Sequence, residues 1–128
     1  MDLLDTQIYS LIGEEGFTRL VAAFYKRVPT DDILGPMYEK QDMEGAEQRL
    51  RGFLIQRFGG PSTYSEKRGH PRLRMRHAPF KVDLSARNRW LQLMNAALDE
   101  VQLPKMVDEL LRPFFVSTAN FMINAENA

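Results

Sequence analysis

The stretch GGPSTYSEKRGHPRLRMRHAPF, residues 59–80, interrupts a chain whose apolar pattern is otherwise helical. It contains both histidines of the chain, His70 and His77. In a continuous helix, a seven-residue spacing would place the two on one face. Gly69 and Pro71 flank His70, so we expect no helix to run through it and predict different surroundings for the two histidines. The segment without a helical pattern runs from residue 59 to residue 84, and a segment this long is uncommon in a compact domain and is usually functional.

Before this stretch, apolar residues recur at steps of three and four, which predicts amphipathic helices. We expect a short first helix that ends at Gly13 and a second that Pro29 stops. Thr30, with two aspartates after it, predicts the start of a short helix that Gly35-Pro36 closes. Asp42 is the predicted N-cap of a helix that runs to Gly59.

After the stretch, the helical pattern resumes. Ser85 is the predicted cap of a helix with Trp90 and Met94 on one side. Pro104 fits the first turn of a last helix, in which Pro113 predicts a kink or a break. No segment alternates with period two over a useful length, so we predict an all-α fold in a single domain of residues 1–128.

Composition excludes several classes of site. Cysteine is absent, which removes disulfides, iron–sulfur clusters, zinc–thiolate sites and cysteine nucleophiles. Seventeen basic and seventeen acidic residues cancel, so no net charge recruits nucleic acid or a membrane surface. The first residues show no secretory signal pattern, and no apolar run approaches the ~20 residues of a membrane span. We therefore expect a cytoplasmic location.

The arginines of the central stretch leave two interpretations open. They are either the charges of a solvated loop or the partners of an anionic ligand held beside a histidine. At this point the residues resemble a known family, the group II truncated haemoglobins. The resemblance rests on the run from Gly59 to Phe80 and on four further motifs that follow in the family's order: FY at 24–25, MY at 37–38, GAEQRLRGFL at 45–54 and RNRWLQLM at 87–94. One departure is Arg57-Phe58, where the family often has an aromatic pair.

The resemblance implies a globin-like two-over-two helical sandwich around haem b, iron protoporphyrin IX. It implies that His77 is the axial iron ligand, while His70 ties down a turn. Local chemistry agrees for His77, because the residue before Pro79 avoids helical geometry and a short turn would end beside the imidazole. Guanidinium groups bind carboxylates through paired hydrogen bonds, so the resemblance also implies that Arg49, Arg76 and Tyr64 contact the haem propionates. The apolar haem contacts it implies are Phe24, Ala46, Leu50, Phe53, Leu54, Phe80 and Met94.

On the distal side, the resemblance implies a cluster of polar-tipped aromatic residues formed by Tyr25, Tyr38 and Trp90. Such side chains bury a ring and still present a hydrogen-bond donor to a pocket. Plain core packing is the alternative for each of them. Ala46 carries no donor, so gating by a distal histidine or glutamine is not expected.

Two classes of function follow from the resemblance. The first is an enzyme that oxidises nitric oxide to nitrate, or that carries out peroxidase-like chemistry, with an external reductase. The second is a non-catalytic protein that binds, scavenges or senses diatomic gases. The implied small ligands are dioxygen, nitric oxide, carbon monoxide and peroxide, and the chain would be a monomer or a homodimer. A helical domain without a cofactor is the third, weaker alternative.

Overall fold

The computed structural model describes residues 4–38, 40–62 and 82–123, and these residues form helices and turns without a strand. The four α-helices are α1 (Ile8–Tyr25), α2 (Met43–Arg57), α3 (Leu84–Val101) and α4 (Lys105–Met122). Short 3-10 helices cover Asp5–Gln7, Gly35–Met37 and Lys40–Asp42. The predicted all-α fold is confirmed. No helix in the described ranges combines the length and the apolar character that crossing a membrane requires.

The sequence predicts that a first helix ends at Gly13, and the structure has a kink at this residue, where two helical segments of α1 meet. Gly13 has φ 65° and ψ −177°, a conformation that is almost restricted to glycine, and helical geometry continues on both sides of it. The longer part of α1 buries the side chains of Phe17, Leu20, Val21 and Phe24 completely. This face packs against α2 and α3, and α3 packs in turn against α4. Helix α1 is therefore the central element of the core.

The segment between α1 and α2 differs from the prediction. Residues 29–34 form turns rather than a short helix, and Gly35-Pro36 begins a 3-10 helix instead of closing one. The cause is the Asp31 carboxylate, which accepts hydrogen bonds from the backbone N–H groups of Ile33 and Leu34 at 3.0 and 2.8 Å. Such a bond offers the backbone an alternative to a helical ladder.

Helix α2 begins after Asp42, as predicted, although the Asp42 side chain makes no capping hydrogen bond. After α2, Gly59 adopts a φ of 101°, and a Cβ there would collide with the Thr6 carbonyl oxygen. The neighbouring Phe58 carbonyl accepts a hydrogen bond from the Tyr9 N–H at 2.9 Å. These contacts join the end of α2 to the start of α1.

Two predictions about the last helices are wrong in detail. Asp83, not Ser85, caps α3, because its carboxylate accepts a hydrogen bond from the Ala86 N–H at 2.9 Å. Pro104 lies at the N-cap of α4 rather than inside its first turn. Helix α4 continues through Pro113 without a break. Pro113 is exposed, so water can satisfy the carbonyl that its missing N–H leaves unpaired.

Candidate functional site

Two phenols lie side by side where α1 ends. Tyr25 is the last residue of α1 and only 7% exposed, and Tyr38 follows the 3-10 helix at 35–37. Their ring centroids are 5.8 Å apart with the planes at 87°. Burial raises the pKa of the Tyr25 phenol, and the Tyr38 phenol beside it raises that pKa further. Burial also raises the pKa of Tyr38. Both hydroxyls are therefore protonated, and able to donate, at neutral pH.

The two phenols share a hydrogen bond that affects the pKa of each of them. Their shared hydrogen bond raises the pKa of Tyr25 and lowers that of Tyr38. A hydrogen bond favours the charged form of its acceptor and the neutral form of its donor. The two hydroxyls are therefore coupled through one hydrogen bond.

Trp90 reaches the same cluster from α3. Its ring lies 5.2 Å from that of Phe24, at an angle of 52°, and 5.6 Å from that of Phe115 on α4. Phe24 in turn meets the Tyr25 ring edge-on at 5.0 Å. Tilted and edge-on contacts of this kind are the favoured geometries for aromatic pairs. Ring contacts thus connect the three predicted distal residues, from Trp90 through Phe24 to Tyr25 and on to Tyr38.

Arg49 of α2 lies near the two phenols, and its positive charge lowers the pKa of both. Its guanidinium donates a hydrogen bond to the Asp42 carboxylate at 2.7 Å and forms an ion pair with it. The pair is more than one third exposed on both sides. Arg49 therefore stands at the rim of the cluster, where solvent reaches it, which is compatible with contact to a charged edge of a ligand.

Apolar side chains from three helices complete the described part of the site. Phe24 and Met94 are fully buried, Ala46 and Leu54 nearly so, and Leu50 and Phe53 pack against the core while remaining half-buried. The combination of an apolar wall with protonated phenol and indole donors fits a flat apolar macrocycle that carries a polar ligand on one face. The described residues are therefore chemically suited to haem.

The predicted residues of the opposite side lie outside the described residues. These are His77, the implied iron ligand, together with Tyr64, His70, Arg76 and Phe80. Their roles stay predictions. Within the described residues there is no group of three or more histidine, cysteine, aspartate and glutamate side chains that would hold a metal ion.

Sequence reasoning missed two features around the site. The first is the contact of Trp90 with Phe115, which nothing in the local pattern of α4 indicates. The second concerns Arg57, whose guanidinium lies 5.2 Å from the ring centres of Phe58 and Phe114 and pairs with Asp5 at 3.0 Å. Where the family often has an aromatic pair, Arg57-Phe58 thus places the Arg57 cation over two aromatic rings.

Comparison with known proteins agrees with this geometry. A family model described as bacterial-like globin matches residues 7–124. The group 2 truncated hemoglobin YjbI of Bacillus subtilis is 38% identical over 120 residues, which cover 94% of this chain and 90% of the relative. A thermostable hemoglobin from Thermobifida fusca has 49% identity and a TM-score of 0.88, with 91% of this chain and 96% of that one covered. A truncated oxygen-avid haemoglobin from B. subtilis has 38% identity and a TM-score of 0.86, with coverage of 91% and 98%.

The family model over residues 7–124 and the all-helical fold thus show that the chain is a globin. Globins use haem to bind small diatomic ligands such as dioxygen, and the family match extends this to the present chain. Within the globins, the chain belongs to the group 2 truncated haemoglobins.

Proposed function

We propose that this chain binds haem b through His77, holds dioxygen beside the Tyr25–Tyr38–Trp90 cluster and uses it to oxidise nitric oxide to nitrate in the cytoplasm. The observation that carries the proposal is a pair of protonated phenols, Tyr25 buried and Tyr38 half-buried, in one cluster with the indole of Trp90. Three donors in an otherwise apolar cluster exceed what packing requires, since phenylalanine would fill the same space.

The residues proposed to hold the cofactor divide by chemistry. Phe24, Leu50, Phe53 and Met94 would contact the macrocycle, with Ala46, Leu54 and Phe80 beside them. Arg49, Arg76 and Tyr64 would bind its carboxylates, because guanidinium and phenol groups donate to carboxylate oxygens. Haem b supplies an iron centre that binds diatomic ligands and exchanges one electron. An imidazole such as that of His77 is a usual axial ligand for such iron.

The donors of the cluster would retain dioxygen once it is bound. The outer atom of bound dioxygen carries partial negative charge, and hydrogen bonds to a charged acceptor are worth ~1.5–3 kcal/mol each. Because ~1.4 kcal/mol corresponds to a factor of ten, two donors would slow release by about two orders of magnitude or more. A protein that releases dioxygen so slowly is poorly suited to delivering it and better suited to reacting with it.

The overall reaction is balanced by one electron: NO + O₂ + e⁻ gives NO₃⁻. Both oxygen atoms of dioxygen join the nitrogen of nitric oxide, and the electron restores the ferrous protein for the next cycle. An external reductase would supply that electron. The same donors would polarise the O–O bond of a peroxide, so peroxidase-like turnover belongs to the same proposal.

A non-catalytic role in binding or scavenging diatomic gases is the second candidate. The description of the B. subtilis structure as oxygen-avid favours it, because tight retention alone suits a scavenger or a sensor. The two candidates share the same pocket and differ only in whether the ferric protein is reduced again.

Nitrate production distinguishes them. The ferrous protein would be mixed with dioxygen and repeated additions of nitric oxide, with NADPH and a flavoprotein reductase shown beforehand to reduce the ferric protein. We expect many equivalents of nitrate per chain. One equivalent followed by accumulation of ferric protein, under conditions in which the reductase works, would refute the enzymatic proposal and leave gas binding.

A further inference from the structure

A nearly buried carboxylate organises the turn that leads to Tyr38. The Asp31 side chain is 7% exposed. One of its oxygens accepts hydrogen bonds from the N–H groups of Ile33 and Leu34, and the other accepts one from the Arg89 guanidinium at 2.6 Å. Each carboxylate oxygen thus has a separate task, since one shapes the turn and the other binds α3.

Backbone hydrogen bonds connect this turn to Tyr38. The Gly35 N–H donates to the Asp31 carbonyl at 3.0 Å, and the Tyr38 N–H donates to the Gly35 carbonyl at 3.2 Å. The turn is also tight, because a Cβ at Gly35 would lie only 3.1 Å from the Val28 carbonyl oxygen. A displacement of Asp31 would therefore move the Tyr38 backbone rather than being absorbed between them.

The other end of the ion pair is fixed to Trp90. Arg89 directly precedes Trp90 in α3, where consecutive residues move as one rigid unit. The same Arg89 nitrogen also donates to the Asp32 carboxylate at 2.8 Å, but that side chain is 83% exposed. Asp31 is therefore the partner that holds Arg89 in a defined place, and Asp32 adds an exposed contact that solvent screens.

We propose that Asp31 and Arg89 form a positioning pair that sets the distance between the Tyr38 hydroxyl and the Trp90 indole, and thereby sets how tightly the pocket retains dioxygen. The inference rests on the proposed function of these two donors. Neither Asp31 nor Arg89 need touch the ligand. The carboxylate is charged at neutral pH, since burial alone would raise the pKa of Asp31 but the hydrogen bonds from Leu34, Arg89 and Ile33 outweigh burial and lower it.

The test compares Arg89→Gln, Asp31→Asn and the double variant in the haem-loaded protein. Asp31→Asn keeps an oxygen that can accept from the turn and removes the negative charge that Arg89 needs. Arg89→Lys keeps the charge but loses the planar donor group. Asp32→Asn removes the exposed partner alone. The control is Arg112→Gln, which breaks a similarly short link between α4 and α3, to Asp99 at 2.7 Å, together with the contact of Arg112 to Asp108 within α4 at 2.8 Å.

We expect Arg89→Gln and Asp31→Asn to accelerate dioxygen dissociation by about three- to tenfold, because a misaligned hydrogen bond weakens steeply without being lost. The double variant should release dioxygen no faster than the single variants, because the two residues act as one pair. Arg89→Lys should restore part of the wild-type rate, while Asp32→Asn and Arg112→Gln should leave it unchanged.

A second readout does not depend on ligand release. Trp90 is the only tryptophan of the chain, so ultraviolet resonance Raman bands of indole report its side-chain torsion and hydrogen bonding alone. These bands should shift in Arg89→Gln and Asp31→Asn and stay unchanged in Arg112→Gln.

The outcomes separate this inference from the proposed function. If Trp90→Phe accelerates dioxygen release but Arg89→Gln and Asp31→Asn leave both the rate and the indole bands at wild-type values, the positioning role is wrong and the proposed function stands. If Trp90→Phe itself has no effect on release, the proposed function fails first. Equal acceleration in Arg112→Gln would show that any loss of helix packing has this effect, and would overturn the specific role of the pair.

Discussion

Removing single hydrogen-bond donors from the distal cluster tests the retention of dioxygen. Trp90→Phe keeps a large aromatic ring and removes only the indole N–H, and Tyr25→Phe and Tyr38→Phe each remove only a hydroxyl. The Tyr25 and Tyr38 hydroxyls share a hydrogen bond, so each phenol can take over part of the other's role. Trp90→Phe should therefore produce the largest single effect.

The magnitudes follow from the number of donors lost. Loss of one hydrogen bond to a partly charged oxygen, ~1.5–3 kcal/mol, should accelerate dioxygen dissociation about ten- to hundredfold in Trp90→Phe. In Tyr38→Phe the freed Tyr25 hydroxyl can turn towards the ligand, so the effect should be smaller. The Tyr25→Phe/Tyr38→Phe double variant loses both hydroxyls and should exceed either single change, because the two phenols act as one network.

Stopped-flow displacement of dioxygen by carbon monoxide would measure these rates in wild type and all four variants. Carbon monoxide carries far less charge when bound, so its own dissociation rate should change much less and serves as the internal control. Equal dioxygen dissociation rates in every variant would refute the reasoning. The aromatic residues would then only line the pocket.

Three further predictions concern the cofactor, acid stability and the backbone. Arg49→Ala and Arg76→Ala should each accelerate haem transfer to an apo-globin acceptor without changing the axial ligand, because each removes a charge-assisted contact. Unchanged transfer rates in both variants would mean that these side chains are merely solvated. The pKa of Asp31 is lowered in the folded protein, so its ionised form stabilises the fold above about pH 4. This contribution disappears as the pH falls through the folded pKa. The difference in melting temperature between wild type and Asp31→Asn should therefore shrink between about pH 6 and pH 3. A constant difference across that range would contradict the ion pair. Gly59→Ala should lower the free energy of unfolding by more than the ~1–3 kcal/mol of backbone strain, because its Cβ also collides with the Thr6 carbonyl. Gly13→Ala has open space around its Cβ and should lower the free energy of unfolding by the strain alone. Equal losses in denaturant unfolding would contradict the contact at Gly59.

The sequence predicts the parts of the fold that depend on local chemistry. The structure agrees with the prediction at three places, because each depends on one residue's own backbone preference. These are the interruption of the first helix at Gly13, the start of α2 after Asp42 and the end of α2 before Gly59. The cap of α3 is harder to predict. Asp83 and Ser85 are both good N-cap residues, and the choice between them depends on how the preceding chain enters the helix.

The candidate site divides in the same way. The family motifs at 24–25, 37–38 and 87–94 predict that Tyr25, Tyr38 and Trp90 form one cluster. The structure connects them by ring contacts, with Phe24 between Trp90 and Tyr25 and with Tyr38 against Tyr25. The Asp31–Arg89 pair joins residues that are 58 positions apart. Neither residue has a local pattern that indicates its partner, so only the packing of α3 beside the end of α1 reveals the contact. At Pro113 the local pattern predicts an interruption that the structure does not have, because the exposed position lets the helix continue through a residue that usually interrupts one.

The most direct test of the account is the visible absorption spectrum of the purified protein beside those of His77→Ala and His70→Ala. We predict an intense blue-region haem band in wild type, the same spectrum in His70→Ala, and a lost or weakly held cofactor in His77→Ala that added imidazole restores. A His70→Ala protein that loses the axial ligand, together with a His77→Ala protein that keeps it, would contradict the assignment of the iron ligand. A colourless wild-type protein that does not take up added haem would contradict the whole account.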